Sequence, residues 1–452
     1  MSALEKRATF GLASIFALRM LGMFIILPVF ALYAEHLPGG QNHILVGLAL
    51  GGAYGLSQAI LQIPFGWASD RYGRKPLLYL GLCLFAIGSF VAAGAENIWW
   101  VIIGRALQGS GAVSGVVLAM TADLTRDQHR TKAMALIGMT IGVTFAVSMA
   151  ISPWLAKLIG VPGIFALTGG LALAALLVVY QVIPTPQVVH SRTSGKSEFA
   201  AVLRNTELMR LNLGIFVLHA ALAALFVVIP FSLRDAGLAP DHHWQVYLPV
   251  MLAAFVFMVP AIIFGEKKFG AKRIFVMSIA VLFCGQLLLG FTQHSLLGLT
   301  VALAVFFTAF NLLEASLPSM VSQVAPAGTK GTATGIYSSI QFLGVCVGPT
   351  LGGFVSQRLG NSAVFWLTAV GTLAWLLVAS TMRPLASVRL TTYTLRQMDE
   401  PAAKRLAEKL MGLPGVYEAV VLAKDGIAHL KVEKSGFDES AVLRLIGAAS
   451  EG

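Results

Sequence analysis

Gly66-Trp67-Ala68-Ser69-Asp70-Arg71-Tyr72-Gly73-Arg74-Lys75 interrupts a long apolar stretch of a 452-residue chain. The runs on either side, near 44–68 and 76–95, are each long enough for a membrane-crossing helix, which takes roughly 20 mostly apolar residues. A segment with one acid and three bases between two such runs belongs in water at a membrane face. Working outward, four more runs (9–34, 98–124, 132–156 and 163–183) lie in the first part of the chain. Six others follow a polar connector, at 208–233, 244–265, 273–291, 297–324, 331–356 and 362–382. In lipid each span has to satisfy its own backbone groups, so the expectation is an all-α polytopic membrane protein with twelve transmembrane helices. The first run is too long and too polar-flanked for a cleaved signal peptide.

The composition agrees. The chain is 57% apolar and only 12% charged, where a soluble protein is about 25% charged. A set of soluble domains and a disordered chain are both excluded. Cys83, Cys284 and Cys346 all sit in apolar runs without a CxxC pair. A disulfide scaffold, a zinc ribbon and a thiolate cluster are therefore not expected, and no metal or cofactor is called for. Seventeen Lys and Arg fall in one set of loops, while the opposite set holds only Lys157, Arg234 and Arg358. That asymmetry predicts cytoplasmic N- and C-termini. The net charge of +11 then reflects topology and attraction to anionic lipid rather than nucleic acid.

The chain divides by composition into a six-helix bundle (1–183), a cytoplasmic linker (184–207), a second six-helix bundle (208–383) and a soluble cytoplasmic module (388–452). The two bundles read as repeats. Pro28 answers to Pro230, Gly73 to Gly270 and Gly160 to Gly360, each about 200 residues apart. Six helices per repeat give both the same direction through the membrane, hence a pseudo-twofold axis along its normal. In the module, 390–395, 416–423 and 427–432 read as strands, and 401–411 and 438–446 as helices. Lys424-Asp425-Gly426 marks a hairpin turn. The order predicts a small ferredoxin-like α/β unit, although no fourth strand follows before Gly452.

With these features in hand, the ten-residue loop resembles motif A of the major facilitator superfamily, GxLaDrxGrk, with Ala68 in place of the usual Leu. The corresponding loop of the second repeat, Gly265-Glu266-Lys267-Lys268-Phe269-Gly270, has Lys267 in place of Asp70, so a gating contact is expected in one repeat only. Leu21-Gly22 followed by Pro28 resembles the first-span motif of the drug:proton antiporter branch, with Phe30 where that branch often has Pro. Arg105-x-x-Gln108-Gly109 resembles motif B, which the superfamily associates with proton coupling. The antiporter motif GxxxGPxxGG is reduced to Gly138 and Gly142 in the fifth span. It appears complete in the eleventh, as Gly344-x-x-x-Gly348-Pro349-x-x-Gly352-Gly353. This displacement leaves the direction of antiport open, and close helix packing through small residues explains the motif equally well. The resemblance covers residues 5–383. It implies a gate built from Gly66, Asp70, Arg71, Gly73, Arg74 and Lys75, with Arg74 paired to Asp123 at the end of the fourth span. It also implies that Asp70 meets the positive start of the eleventh helix when the cavity opens outward.

Ionisable residues inside a membrane are costly, so each is a functional candidate. Deep in the spans these are Arg19, Arg105, His219 and Glu314, on the first, fourth, seventh and tenth runs. Those are the helices that line the cavity in the resembled superfamily. Counted at 1.5 Å per residue, Arg19, His219 and Glu314 all lie about 15–16 Å from the cytoplasmic face, near the midplane. One shared polar layer is expected, with Glu314 as proton carrier, His219 assisting and Arg105 a less direct partner. Signs of an enzyme are weak. Ser194-Gly195-Lys196-Ser197 imitates the end of a phosphate loop without a strand before it, and is better read as a polar linker. His242-His243 beside Asp241 is better explained as an exposed outer loop than as a metal site. The expected function is proton-driven efflux of a small amphipathic compound by alternating access, by a monomer in a bacterial inner membrane. The alternatives are a proton-coupled importer and a membrane sensor signalling through residues 388–452, since a fold does not set its function.

Overall fold

The computed structural model describes residues 1–452 apart from 126, 185–195, 266–268, 326–328, 384–387, 396–397, 424–425, 434–436 and 452. Residues 185–195 of the linker, with the Ser194-Gly195 pair, Lys267 and Lys268, and Lys424-Asp425 of the expected turn lie outside the described residues. The chain forms two compact units, Met1–Met382 and Arg383–Gly452.

The first unit is a stack of apolar helices. Among the described residues eleven stretches are long and apolar enough to cross a membrane, where the hydropathy pattern predicts twelve. The difference lies at Gly160. The stretch Leu136–Gln181 runs 46 residues, about 69 Å of helix, more than twice a ~30 Å hydrocarbon core. It kinks at Gly160, where φ is 69° and ψ is 171°. Gly360, with φ 86° and ψ 167°, separates helix Lys330–Leu359 from helix Asn361–Ser380 in the same way. The other glycine pair matches too. Gly73 (φ 96°, ψ 151°) and Gly270 (φ 82°, ψ 152°) each start a helix from a backbone conformation that only glycine adopts without strain. Proline behaves less symmetrically. Pro28 opens the short helix Leu27–Ala34 after a break at residues 25–26, while Pro230 sits inside the continuous helix Thr206–Asp235.

Small residues set the closest approaches. A Cβ on Gly344 would lie 2.5 Å from the Phe216 carbonyl oxygen, and one on Gly348 2.2 Å from that of Ala220. Helix Lys330–Leu359 is thus pressed against Thr206–Asp235 by the GxxxG part of its motif, the packing use of that pattern. Gly353, by contrast, faces the N-terminal helices. A Cβ on Gly353 would meet the His43 carbonyl oxygen at 2.0 Å, and one on Gly47 that of Pro349 at 2.0 Å. Gly138 and Gly142 have open space instead.

The second unit is a three-stranded antiparallel sheet in the order β1-β3-β2, with β1 Val388–Thr394, β2 Val416–Leu422 and β3 Ile427–Glu433. Ala428, Leu430 and Val432 alternate onto one face of the central strand. There they form a core with Leu406 and Leu410 of helix Glu400–Met411 and Val442 of helix Glu439–Glu451. Asp399 caps the first helix through the Ala402 N–H. Asp438 accepts hydrogen bonds from the N–H groups of Ser440 and Ala441 ahead of the second.

Candidate functional site

Glu314 projects from helix Leu296–Val324 and His219 from helix Thr206–Asp235. His219 Nε2 lies 3.7 Å from Glu314 Oε2, and the two side chains are 17% and 2% exposed for Glu314 and His219 respectively. A third residue completes the cluster. Gln341, from helix Lys330–Leu359, places Nε2 2.8 Å from His219 Nε2 and 3.5 Å from Glu314 Oε1. Three helices thus bring a carboxylate, an imidazole and a primary amide together in an apolar surround. Gln341 escaped the sequence reading because a neutral amide in a membrane helix carries none of the penalty that makes a charge conspicuous.

Above this cluster the helices meet in an aromatic layer. Phe310 and Phe307 stand one and two turns from Glu314 on the same helix face. Phe310 lies 6.0 Å from the His219 ring, and both phenylalanines pack on Phe145 of the N-terminal helices, with centroids 5.6 and 5.7 Å away. Phe24 adds an edge contact to Phe145 at 4.9 Å. All four are buried where the N-terminal and C-terminal helices meet.

Arg19 does not join the cluster. Its guanidinium hydrogen-bonds Ser114 and Gln58, and Gln58 continues to Gln62 at 2.7 Å, all on N-terminal helices. The single polar layer expected from depth is therefore split in two, because equal depth says nothing about which side of the central passage a side chain faces. Arg105 is committed to backbone. Nε and Nη2 donate to the carbonyls of Ala49 (3.2 Å) and Leu50 (2.8 Å) in the π-helical turn Leu48–Gly52. Its guanidinium stacks over Tyr54 at 4.7 Å. Gln108 donates to Ser89 at 2.7 Å, and Gly109 admits the Tyr54 backbone. The motif B residues thus brace a turn whose wider spacing leaves carbonyls in need of donors.

In the motif A loop Arg74 is the hub. It forms an ion pair with Asp70, places Nε 2.9 Å from Asp123 Oδ2, and donates from Nη1 to Ser69 Oγ at 2.6 Å. Arg71 lies over the rings of Trp67 and Tyr72. Gly66 faces open space and Gly73 supplies the positive φ that lets the helix restart at Arg74, with Lys75 next in sequence. Asp70 pairs within its own loop, and the contact that the resemblance gives it with the start of helix Lys330–Leu359 belongs to the outward-open form. Polar links between N-terminal and C-terminal helices form at the far end, the one poor in Lys and Arg. There Arg234 holds Glu35 at 2.7 Å, Lys157 holds Asp241 at 2.8 Å, and His43 meets Ser356 at 2.9 Å. A cavity of about 250 Å³ lined by Glu35, His43, Val46, Val227 and Phe231 lies among these contacts, away from Glu314. Of the expected exposed His242-His243 pair, His242 is exposed, while His243 is buried against Tyr247 and bonds the Leu238 carbonyl at 3.2 Å. Among the described residues no three metal-binding side chains gather.

The helical architecture is shared with solved transporters. It superposes with a TM-score of 0.69 on a bacterial homologue of the human lysosomal transporter Spinster, described as inward-facing and occupied, at 14% identity over 84% of this chain and 97% of that one. The family description Major Facilitator Superfamily matches residues 12–266 and 250–404. The chain belongs to the major facilitator superfamily. It is a multi-pass membrane transporter, and the superfamily's members are not enzymes. Among relatives, it is 42% identical over 435 residues to the inner membrane transport protein YajR of Escherichia coli (strain K12), covering 95% of this chain and 94% of that one. It is 25% identical over 360 residues to the multi-drug resistance efflux pump PmrA of Streptococcus pneumoniae, covering 76% and 88%.

Proposed function

We propose that this superfamily member is a proton-driven secondary transporter that exports a small amphipathic compound by alternating access. Glu314 carries the reading. A carboxylate held inside apolar helices is expensive unless its charge is used, and this one has an imidazole and an amide as close partners. Such a group loads a proton from one side and releases it when its surroundings change. His219 assists, and Arg19 and Arg105 shape the opposing wall. The name of the streptococcal relative, an efflux pump, supports export. That of the Escherichia coli relative supports an inner-membrane location.

In this proposal twelve membrane helices form two six-helix bundles, 1–183 and 208–383, joined by the linker 184–207, with both termini cytoplasmic. The end joined by Glu35–Arg234 and Lys157–Asp241 is then the outer end, and the conformation is inward-facing. Motif A is the cytoplasmic gate. Arg74 pre-organises Asp70 and Asp123, and Asp70 reaches the start of helix Lys330–Leu359 when the cytoplasmic side closes. The membrane part acts as a monomer, and the ferredoxin-like unit at 388–452 has a regulatory or assembly role. Unchanged flux and oligomeric state after truncation at Pro384 would remove that role.

The deciding experiment is Glu314→Gln in proteoliposomes under an imposed pH gradient, with a substrate found by thermal-shift screening. Proton-coupled flux should be lost. Flux at the wild-type rate with its pH dependence intact refutes the assignment. Counterflow in vesicles of known orientation separates export from import.

A further inference from the structure

Gln341 lies in none of the motifs, yet its amide touches both titratable side chains of the cluster. Its Nε2 carries two hydrogens and no lone pair for accepting. Facing His219 Nε2 at 2.8 Å and Glu314 Oε1 at 3.5 Å, it donates to an imidazole lone pair and to a carboxylate oxygen. That arrangement fits an unprotonated Glu314 Oε1 and a neutral His219 with its hydrogen on Nδ1. A proton on Oε1 would remove that oxygen's charge and weaken its hold on the amide. A proton on Oε2, which lies 3.7 Å from His219 Nε2, would leave Oε1 a neutral and weaker acceptor. In both cases Gln341 loses a hydrogen bond to a charged carboxylate while it still faces His219, so one amide links the proton on Glu314 to His219.

The same residue sits at a mechanical junction. Helix Lys330–Leu359 is pressed onto Thr206–Asp235 through Gly344 and Gly348, and its opposite side meets the N-terminal helices. The next residue, Phe342, makes that crossing. Its carbonyl oxygen lies 2.6 Å from where a Cβ on Gly55 would be, and its ring is 6.3 Å from that of Tyr54. The side chain that senses Glu314 and the backbone that seats the other bundle are thus consecutive in one helix.

We propose that Gln341 is the positioning residue through which the protonation state of Glu314 sets the seat of helix Lys330–Leu359 against the N-terminal helices. The inference rests on the proton-carrier reading of Glu314. The titratable groups around the amide are Glu314, His219 and, one turn earlier on its own helix, Tyr337, which interacts electrostatically with Glu314. Across the seam stands Tyr54.

The test uses the full chain in proteoliposomes, with Cys83, Cys284 and Cys346 replaced by serine. Spin labels at Tyr72 and Ser380, both exposed near the basic end, read the separation of the bundles from pH 5 to 9. Three proteins are compared: the parent, Glu314→Gln, and Gln341→Met, which keeps the length of the side chain and removes its hydrogen bonds. Gln341→Asn, which keeps the amide and shortens its reach, serves if the methionine variant fails to fold. The parent should show a pH-dependent distance distribution, and Glu314→Gln should flatten it. Either Gln341 variant should displace the profile along the pH axis by about one unit, the size expected from losing a hydrogen bond to a charged group. A Gln341 profile that superposes on the parent, with Glu314→Gln flat, overturns this inference and leaves the proton carrier standing. A parent without pH dependence, or Glu314→Gln with the parental profile, overturns the proton-carrier reading and this inference with it.

Discussion

Gly47→Ala should act as a wedge between the two sets of helices. The added Cβ would lie 2.0 Å from the Pro349 carbonyl oxygen, 2.6 Å from its carbonyl carbon and 3.0 Å from Thr350 Cα. All three are backbone atoms of a helix and cannot swing aside. To bring the first of these to an ordinary separation near 3.5 Å, the helices must part by about 1.5 Å. Overpacking of this kind costs about 1–3 kcal/mol. The cost falls only on the conformation in which Gly47 and Pro349 meet, so the equilibrium should move about 5–150-fold toward the form open at this end. Val227, 1% exposed and lining the cavity there, reports the change when substituted by cysteine in a cysteine-free background. Its maleimide labelling rate should rise by that factor in Gly47→Ala. Gly142→Ala is the control, because nothing lies within 4 Å of its Cβ position. A labelling rate unchanged in a folded Gly47→Ala protein, or an equal rise in the control, would refute the reasoning.

Three further outcomes are expected. Glu35→Gln removes an ion pair with Arg234 whose two side chains are each 41% exposed. At the 0.2–1 kcal/mol typical of such solvent-screened pairs it should raise Val227→Cys labelling about 1.5–5-fold, and 0.5 M salt should shrink the difference. Arg74→Lys should not replace arginine, since one ammonium cannot serve Asp70, Asp123 and Ser69 together. An Arg74→Ala/Asp123→Ala cycle on thermal unfolding should give a nonzero coupling of about 1 kcal/mol, and additive effects would dismiss the hub. In the C-terminal unit, the Ser440 hydroxyl and then the Ala441 N–H hold the Asp438 carboxyl below its ordinary value. A depressed carboxyl stabilises the fold above its unfolded value near 3.9, and that contribution disappears as pH falls through the folded value. Amide exchange in helix Glu439–Glu451 should therefore become less protected in acid for the parent than for Asp438→Asn. Parallel pH profiles would count against it.

Hydropathy alone determined that this chain crosses a membrane as helices, because a bilayer leaves a spanning backbone no other way to satisfy its polar groups. The same reading located the intramembrane charges, since each costs enough to stand out from an apolar run. The boundaries of the C-terminal strands and helices were legible within a few residues, from alternation in the strands and Asp or Pro at the helix starts. Even the backbone turns at Gly73, Gly160, Gly270 and Gly360 were visible as repeated glycines, though their positive φ was not. Tertiary structure alone decided which neighbours those residues have. Arg19 and Glu314, placed at one depth by counting residues, have no partner in common, Arg105 braces a π-helical turn, and Gln341 stands between His219 and Glu314. Tertiary structure also decided which end is joined, and that Asp70 pairs with Arg74. Spacing along a helix sets the face a side chain occupies, whereas the choice of what meets that face is a small free-energy difference between alternative packings of the same helices, decided by contacts between residues far apart in the chain.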